Sequence, residues 1–193
     1  TNSIASKMNS KAPSVTEMLK KLSEKNLVVY KKYQGVLVTD YGRKTALSVI
    51  RKHRLWEVFL VDKLNFHWDQ VHEIAEQLEH IKSDELIKRL DTYLDHPDFD
   101  PHGDPIPDIN GVIKPTEKKL LSELKKNQRG VCVGVKESSK QFLQYLDTRN
   151  IGIGTTIKVL DKEEFDDSMT IQIGDHQLQI TDKIAHNLYI NTH

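Results

Sequence analysis

The chain has 193 residues, no net charge, 37% hydrophobic side chains and a single cysteine, Cys132. This length holds one domain or a few small ones. No apolar run approaches the roughly 20 residues of a membrane-spanning helix, and one cysteine forms no internal disulfide, so no membrane partner and a reducing, cytoplasmic setting are expected. The charge is nevertheless polarised: residues 1–54 carry twelve Lys or Arg against Glu17, Glu24 and Asp40, a balance of +9, while the rest hold 16 basic and 25 acidic groups, a balance of −9. A basic head on an acidic body points to a polyanion contacted through one end of the chain.

Ile4, Ala5 and Met8 predict a short amphipathic helix that stops at Asn9-Ser10-Lys11-Ala12. A second helix follows, with Pro13 in its first turn and Val15, Met18, Leu19 and Leu22 at the i, i+3, i+4, i+7 spacing of a buried face. Two short helices and a tight turn suggest a helix-turn-helix. Its outward face then carries Ser14, Thr16, Glu17, Lys20 and Lys21, side chains that reach base edges and phosphates from a major groove. Residues 27–30 and 36–39 flank Lys31-Lys32-Tyr33-Gln34-Gly35 as a hairpin with a basic tip, the wing of a winged helix. The competing reading is a small αβ core with ordinary surface lysines, and the +9 balance favours DNA.

A long helix is predicted from about residue 39, continuing through Ala46, Val49, Ile50, Leu55, Trp56, Val58, Phe59, Leu60 and Val61. Past Arg54 it is apolar nearly all round, which means burial against another subunit as readily as against itself. A homodimer is expected, because paired heads read two half-sites. Two further helices are predicted over residues 68–81 and 83–93. Residues 96–115 hold five of the six prolines and read as an irregular linker. Beyond them, residues 130–135, 156–160, 169–173 and 177–180 are strand-like, and one helix, capped by Ser138-Ser139, buries Phe142, Leu143 and Leu146. Short strands with one helix suggest a small SH3-like barrel, with Cys132 as a small core residue.

At about 100° per residue, His72, Glu76, Glu79 and His80 share one arc of roughly 100° on the helix expected there. Val71, Ile74, Leu78 and Ile81 lie opposite, so that arc taken alone reads as a solvated polar face. His53 and Glu57 lie one turn apart, and Glu57 is surrounded in sequence by Trp56, Val58, Phe59, Leu60 and Val61. A carboxylate embedded there must be paired, hydrogen-bonded or bound to a cation. Asp100-Pro101-His102 adds two more donors. Three segments rich in His and carboxylate favour a metal site.

Taken in order, Ser14-Val-Thr-Glu-Met-Leu-Lys-Lys-Leu22, Asn26-Leu-Val28, Thr39-x-x-Gly42, Arg51-Lys-His-Arg-Leu-x-Glu57, Val71-His72-x-x-Ala-Glu-x-Leu-Glu79-His80 and Pro101-His-Gly-x-Pro-Ile-Pro107 resemble the diphtheria toxin repressor family of iron and manganese regulators. The likeness runs through essentially the whole chain. It implies a mainly α fold with small β parts: a winged helix-turn-helix (residues 1–45), a helical metal-binding and dimerisation domain (46–95), a proline-rich linker (96–115) and an SH3-like, FeoA-type domain (116–193). It implies that Glu76, Glu79 and His80 match a primary, activating site, and that His53, Glu57 and His72 match a second, helped by Asp100 and His102. Glu137 and Gln141 match ligands supplied from the C-terminal domain less closely. Pro13, Ser14, Thr16, Glu17, Lys20, Lys21, Lys31 and Lys32 would face DNA. The family's first helix, which gives one more ligand to the primary site, precedes Thr1, so that set is expected to be incomplete here and the second set better filled.

The resemblance further implies a repressor of metal-uptake genes that binds operator DNA as a dimer when loaded, with no small-molecule substrate and no catalysis. Glu76 and Asp100 stand where some members have cysteine, so the donors favour Mn2+ or Fe2+, with Zn2+ as an in vitro substitute. The alternatives are a metal-dependent hydrolase with a DNA-binding head and a metal-independent winged-helix dimer.

Overall fold

The structure, a computed structural model, describes residues 2–31 and 34–192. It divides into two compact units, one of residues 1–51 with 107–112 and another of residues 52–106 with 113–193. Among the described residues no helix is long and apolar enough to cross a membrane.

The first unit opens with α1 (Asn2–Lys7) and α2 (Ala12–Glu24). Asn9, at φ 46, supplies the turn between them. Pro13 occupies the first turn of α2, where its missing N–H costs nothing. Ala5, Val15 and Leu19 are buried, with Ile4, Met18, Leu22, Tyr30 and Val36 packed on them. Strands β1 (Val28–Lys31) and β2 (Gly35–Val38) pair antiparallel from Val28↔Val38 to Lys31↔Gly35. The expected wing residue Lys32 lies outside the described residues.

Thr39 caps α3 (Asp40–Leu64), its Oγ1 accepting the Gly42 N–H at 2.9 Å. Gly42 is needed there because a Cβ would stand 1.9 Å from the Leu27 carbonyl oxygen. The first unit ends with residues 107–112, where Asp108 Oδ1 accepts the N–H groups of Asn110 and Val112, and Arg51 donates to the Pro107 carbonyl at 2.7 Å.

The second unit begins with the apolar part of α3. Leu55, Trp56, Val58 and Leu60 pack against Val71 and Ala75, against Ile87, Leu90 and Leu94, and against Ile106, so this surface is covered within its own chain. The helix expected over residues 68–81 is much shorter: α4 runs only His72–Leu78. At its front, Gln70 N–H bonds to the His67 carbonyl in a turn, and the Trp68 indole N–H is drawn to Asp147 at 3.0 Å. At its end, Glu79 keeps a helical backbone with its N–H on the Ala75 carbonyl, and Ile81 N–H closes an i→i−3 bond on the Leu78 carbonyl, so the regular helix stops before His80. Helix α5 (Asp84–Tyr93) is capped by Ser83, which accepts the Leu86 N–H.

Within the stretch expected to be an irregular linker, residues 98–106 form an ordered loop. Phe99 bridges Pro105, Asp100 N–H bonds to the Asp104 carbonyl, and Ile106 N–H bonds to the Asp98 carbonyl. Asp100, His102, Gly103 and Ile106 are buried. Gly103, at φ +81, lies so close to the sheet that a Cβ would stand 2.0 Å from the Val133 carbonyl oxygen.

The rest of this unit is a six-stranded antiparallel sheet of β3 (Lys119–Leu120), β4 (Arg129–Val135), β5 (Thr156–Lys162), β6 (Met169–Ile173), β7 (His176–Ile180) and β8 (Leu188–Asn191), ordered β3-β8-β4-β5-β6-β7. Bulges between Cys132 and Gly134 and between Val159 and Asp161 curve it into the SH3-like shape. Helix α6 (Lys140–Asp147) buries Phe142, Leu143 and Leu146 as its pattern predicts. Ser139 stands at its N-cap position but makes no side-chain cap bond, and its hydroxyl donates to Glu137 at 2.6 Å. A short α7 (Asp182–Ala185) precedes β8. Cys132 is a buried free thiol in the sheet, its pKa pushed by burial up to about 11.

Candidate metal centre

Glu57 is the hub. It lies on the buried side of α3 with only 2% of its surface exposed. Its Oε1 is 3.0 Å from His53 Nε2, one turn earlier, and 3.4 Å from His72 Nδ1 at the start of α4. Its Oε2 is 3.8 Å from His102 Nδ1, which is itself 3.9 Å from Asp100 Oδ1. Two groups of donors therefore meet on one carboxylate: His53, Glu57 and His72, and Glu57, Asp100 and His102. Within each group the ligand atoms lie within 4.8 Å of one another, but the five residues do not form one group.

Both inner histidines are aimed from behind. His102 Nε2 is 2.9 Å from the Trp68 carbonyl oxygen, which only accepts, so Nε2 carries the proton and Nδ1 faces the site. The Trp68 ring stacks on His102 at 6.0 Å and 13°. His53 Nδ1 is 2.7 Å from Glu79 Oε2, which leaves Nε2 for the site, and the ring meets His72 edge-on. A carbonyl or carboxylate behind the imidazole is the usual outer support of a metal-bound histidine. Asp100 is fixed too, with Oδ1 accepting the N–H groups of His102 and Asp104, and Oδ2 3.4 Å from Arg54 Nε. Arg54 also donates to Asp104 and to the Pro105 carbonyl.

The charges answer one another. Burial raises the Glu57 pKa, but the imidazoles of His102 and His53 outweigh it and hold the carboxyl at about 2. Burial lowers His53 and His102, and the surrounding carboxylates overcome it and raise both. Burial, then the charge of Glu57, pushes Asp100 up to about 6. This centre therefore binds protons where it would bind a cation, and loading it releases them. The donors fit a divalent ion of the Mn2+ or Fe2+ type, with imidazole and carboxylate and no thiolate.

Asp100 gives a test of this balance. A carboxyl whose folded pKa lies above its unfolded value adds stability at low pH that is lost as pH rises through about 6. In metal-free protein, Asp100→Asn should gain about 1 kcal/mol relative to the parent between pH 5 and pH 7.5. Urea denaturation at the two pH values reads this, and a constant difference would contradict it.

The remaining expected ligands are dispersed. Glu76 and His80 are exposed at the end of α4, and among the described residues they form no three-donor group with Glu79. Glu79 instead faces His53. Glu137 and Gln141 are exposed near the start of α6, and Glu137 joins neither group. Sequence reasoning missed Trp68, Arg54 and the Glu79–His53 bond, all of which act across long separations.

In the first unit, Pro13, Ser14, Glu17, Lys20, Lys21 and Lys31 are exposed, while Thr16 is half-buried and its hydroxyl donates to the Ala12 carbonyl. Glu17 and Lys21 pair at 2.9 Å.

Three family models match the chain in order: the iron dependent repressor N-terminal DNA binding domain over residues 1–36, the iron dependent repressor metal binding and dimerisation domain over 39–108, and the FeoA domain over 119–192. The chain is 44% identical over 86 residues to a probable metal transport system membrane protein of Chlamydia trachomatis, a match spanning 45% of this chain and only 19% of that protein. It is 28% identical to the diphtheria toxin repressor of Corynebacterium diphtheriae, over 97% of this chain and 86% of that one. Among solved structures, a manganese-dependent transcriptional repressor in complex with manganese superposes with a TM-score of 0.87 at 32% identity, over 98% of this chain and 89% of its own. The ordered domains and the full-length likeness agree with the imidazole–carboxylate centre, and the chain belongs to the diphtheria toxin repressor family of metal-dependent transcriptional regulators, in the longer form with an FeoA-type domain.

Proposed function

We propose that this chain is a cytoplasmic repressor of metal-uptake genes that binds operator DNA as a homodimer when it holds Mn2+ or Fe2+, and that it catalyses no reaction. The observation that carries this reading is the shared Glu57 carboxylate with two imidazoles aimed at it from behind. His53, Glu57, His72, Asp100 and His102 would hold ions there, and Glu76, Glu79 and His80 would complete the activating set in the loaded protein. The exposed face of α2 and Lys31 would read and position on the duplex. The bound ion supplies positive charge that only one arrangement of these donors satisfies fully. Control then follows from linkage: ligands arranged best in the DNA-competent form raise operator affinity on loading, and DNA raises metal affinity by the same factor.

The test is operator binding at fixed salt across titrations of Mn2+, Fe2+ and Zn2+, because phosphate contacts make affinity salt-dependent. Loading should tighten binding by roughly 5–150-fold. His80→Ala should keep the dimer and lose that response. A response of unchanged size would remove His80 from the activating set.

A further inference from the structure

We propose that Glu79 couples the two ligand sets: one of its carboxylate oxygens serves the set of Glu76 and His80, while the other holds the Nδ1–H of His53 and so prepares His53 Nε2 for the set built on Glu57. This rests on the metal-responsive reading of the site and adds a positioning residue to it.

The geometry is direct. Glu79 stands at the C-terminal end of α4 with its side chain 14% exposed, and its Oε2 lies 2.7 Å from His53 Nδ1 on α3, 26 residues earlier in the chain. The other ring nitrogen is already committed to the centre, 3.0 Å from Glu57 Oε1 and 3.1 Å from His72 Nδ1. A neutral imidazole has two tautomers, and only the one protonated at Nδ1 leaves a lone pair on Nε2. Carboxylates face both nitrogens, and the shorter contact, 2.7 Å to Glu79 against 3.0 Å to Glu57, favours the Nδ1–H tautomer, fixes the ring plane and makes Nε2 a better donor. Glu76, one turn earlier on α4, is exposed and among the described residues makes no hydrogen bond or ion pair with His53. Among the described residues, Glu79 alone of Glu76, Glu79 and His80 has a hydrogen bond or ion pair to the other set.

A carboxylate has two oxygens, so Glu79 serves both roles at once. Glu79 would lose its freedom to leave His53 once its first oxygen held an ion, and the His53 Nδ1–H would hold Glu79 more strongly once Nε2 did. Each set arranges the other, and the coupling is equal in both directions.

Glu79→Met, which removes the acceptor, is compared with Glu76→Met and with Glu79→Gln, which restores a neutral acceptor. Ring nitrogen NMR of metal-free protein, at alkaline pH where the imidazoles are neutral, should show His53 protonated at Nδ1 in the parent and in Glu76→Met. It should show a shift toward protonation at Nε2, which faces Glu57, in Glu79→Met and a return toward Nδ1 in Glu79→Gln. In Mn2+ titrations, Glu79→Met should weaken binding at the His53 set by roughly 10–100-fold, and Glu76→Met, which leaves the Glu79–His53 bond in place, should weaken that set less. An unshifted His53 tautomer in Glu79→Met, or equal weakening by both methionine variants, overturns the coupling. A parent chain that takes up no Mn2+ overturns the functional reading instead, and the metal-free tautomer comparison still decides whether Glu79 orients His53.

Discussion

Glu57→Ala is expected to lower Mn2+ affinity at least about 100-fold, since it removes the one carboxylate common to both donor groups and each metal-bound charge–ligand contact is worth several kcal/mol in a buried site. Glu57→Gln separates charge from shape. It keeps the side-chain volume but neither balances the ion nor holds up the protonation of His53 and His102, so affinity should fall by a similar factor while the fold persists. The pH profile carries the sign. The Glu57 pKa is depressed to about 2, so its contribution is present above its ordinary value of 4.5 and is lost as pH falls toward 2. His53 and His102 are raised, so theirs is present below the ordinary 6.5 and is lost as pH rises through their folded values. Glu57→Gln should therefore flatten both limbs of the metal-free stability curve. Calorimetric titration with Mn2+ and urea denaturation across pH measure the two effects, and retention of full Mn2+ affinity in Glu57→Ala would exclude Glu57 as a ligand.

Gly103→Ala should cost at least roughly 3 kcal/mol, because the new Cβ meets backbone it cannot push aside, 2.0 Å from the Val133 oxygen and 2.4 Å from Gly134 Cα, at a φ that L residues resist. The backbone bond from Val135 N–H to the His102 carbonyl, 2.9 Å, would be the first to open. The Asp100–His102 loop would then leave β4, so the group of Glu57, Asp100 and His102 should lose Mn2+ before that of His53, Glu57 and His72. Gly152→Ala is the control, with nothing within 4 Å of the added Cβ and an expected effect within about 0.5 kcal/mol. Equal urea midpoints for the two variants would show that Gly103 is not a packing constraint.

Local signals were read well wherever periodicity alone decides. The i, i+3, i+4, i+7 face of α2, the paired strands of the wing and residues 169–173 as a strand all needed only neighbouring residues. His53 and Glu57 were legible because a carboxylate inside an apolar helix has few ways to be satisfied. What escaped depends on distant partners. Helix α4 is short because Trp68 is held by a residue 79 positions away, and Glu79 is engaged by a histidine 26 positions earlier. The prolines of residues 96–106 read as looseness, yet they shape a loop closed by Asp100 onto its own backbone N–H groups. The strand β8 is four residues long and belongs to the sheet only because β3 and β4 flank it.

The Trp68 carbonyl that orients His102 belongs to a residue whose indole is tied to Asp147 on α6, while Gln144 from the same helix donates to Asp69 at 2.8 Å. The FeoA-type domain thus acts as a foundation for the metal centre although its own Glu137 stands outside it. Loosening that domain would blur the aim of a ligand that lies outside it in the chain, and changes in ion selectivity would arise there with every coordinating residue left in place.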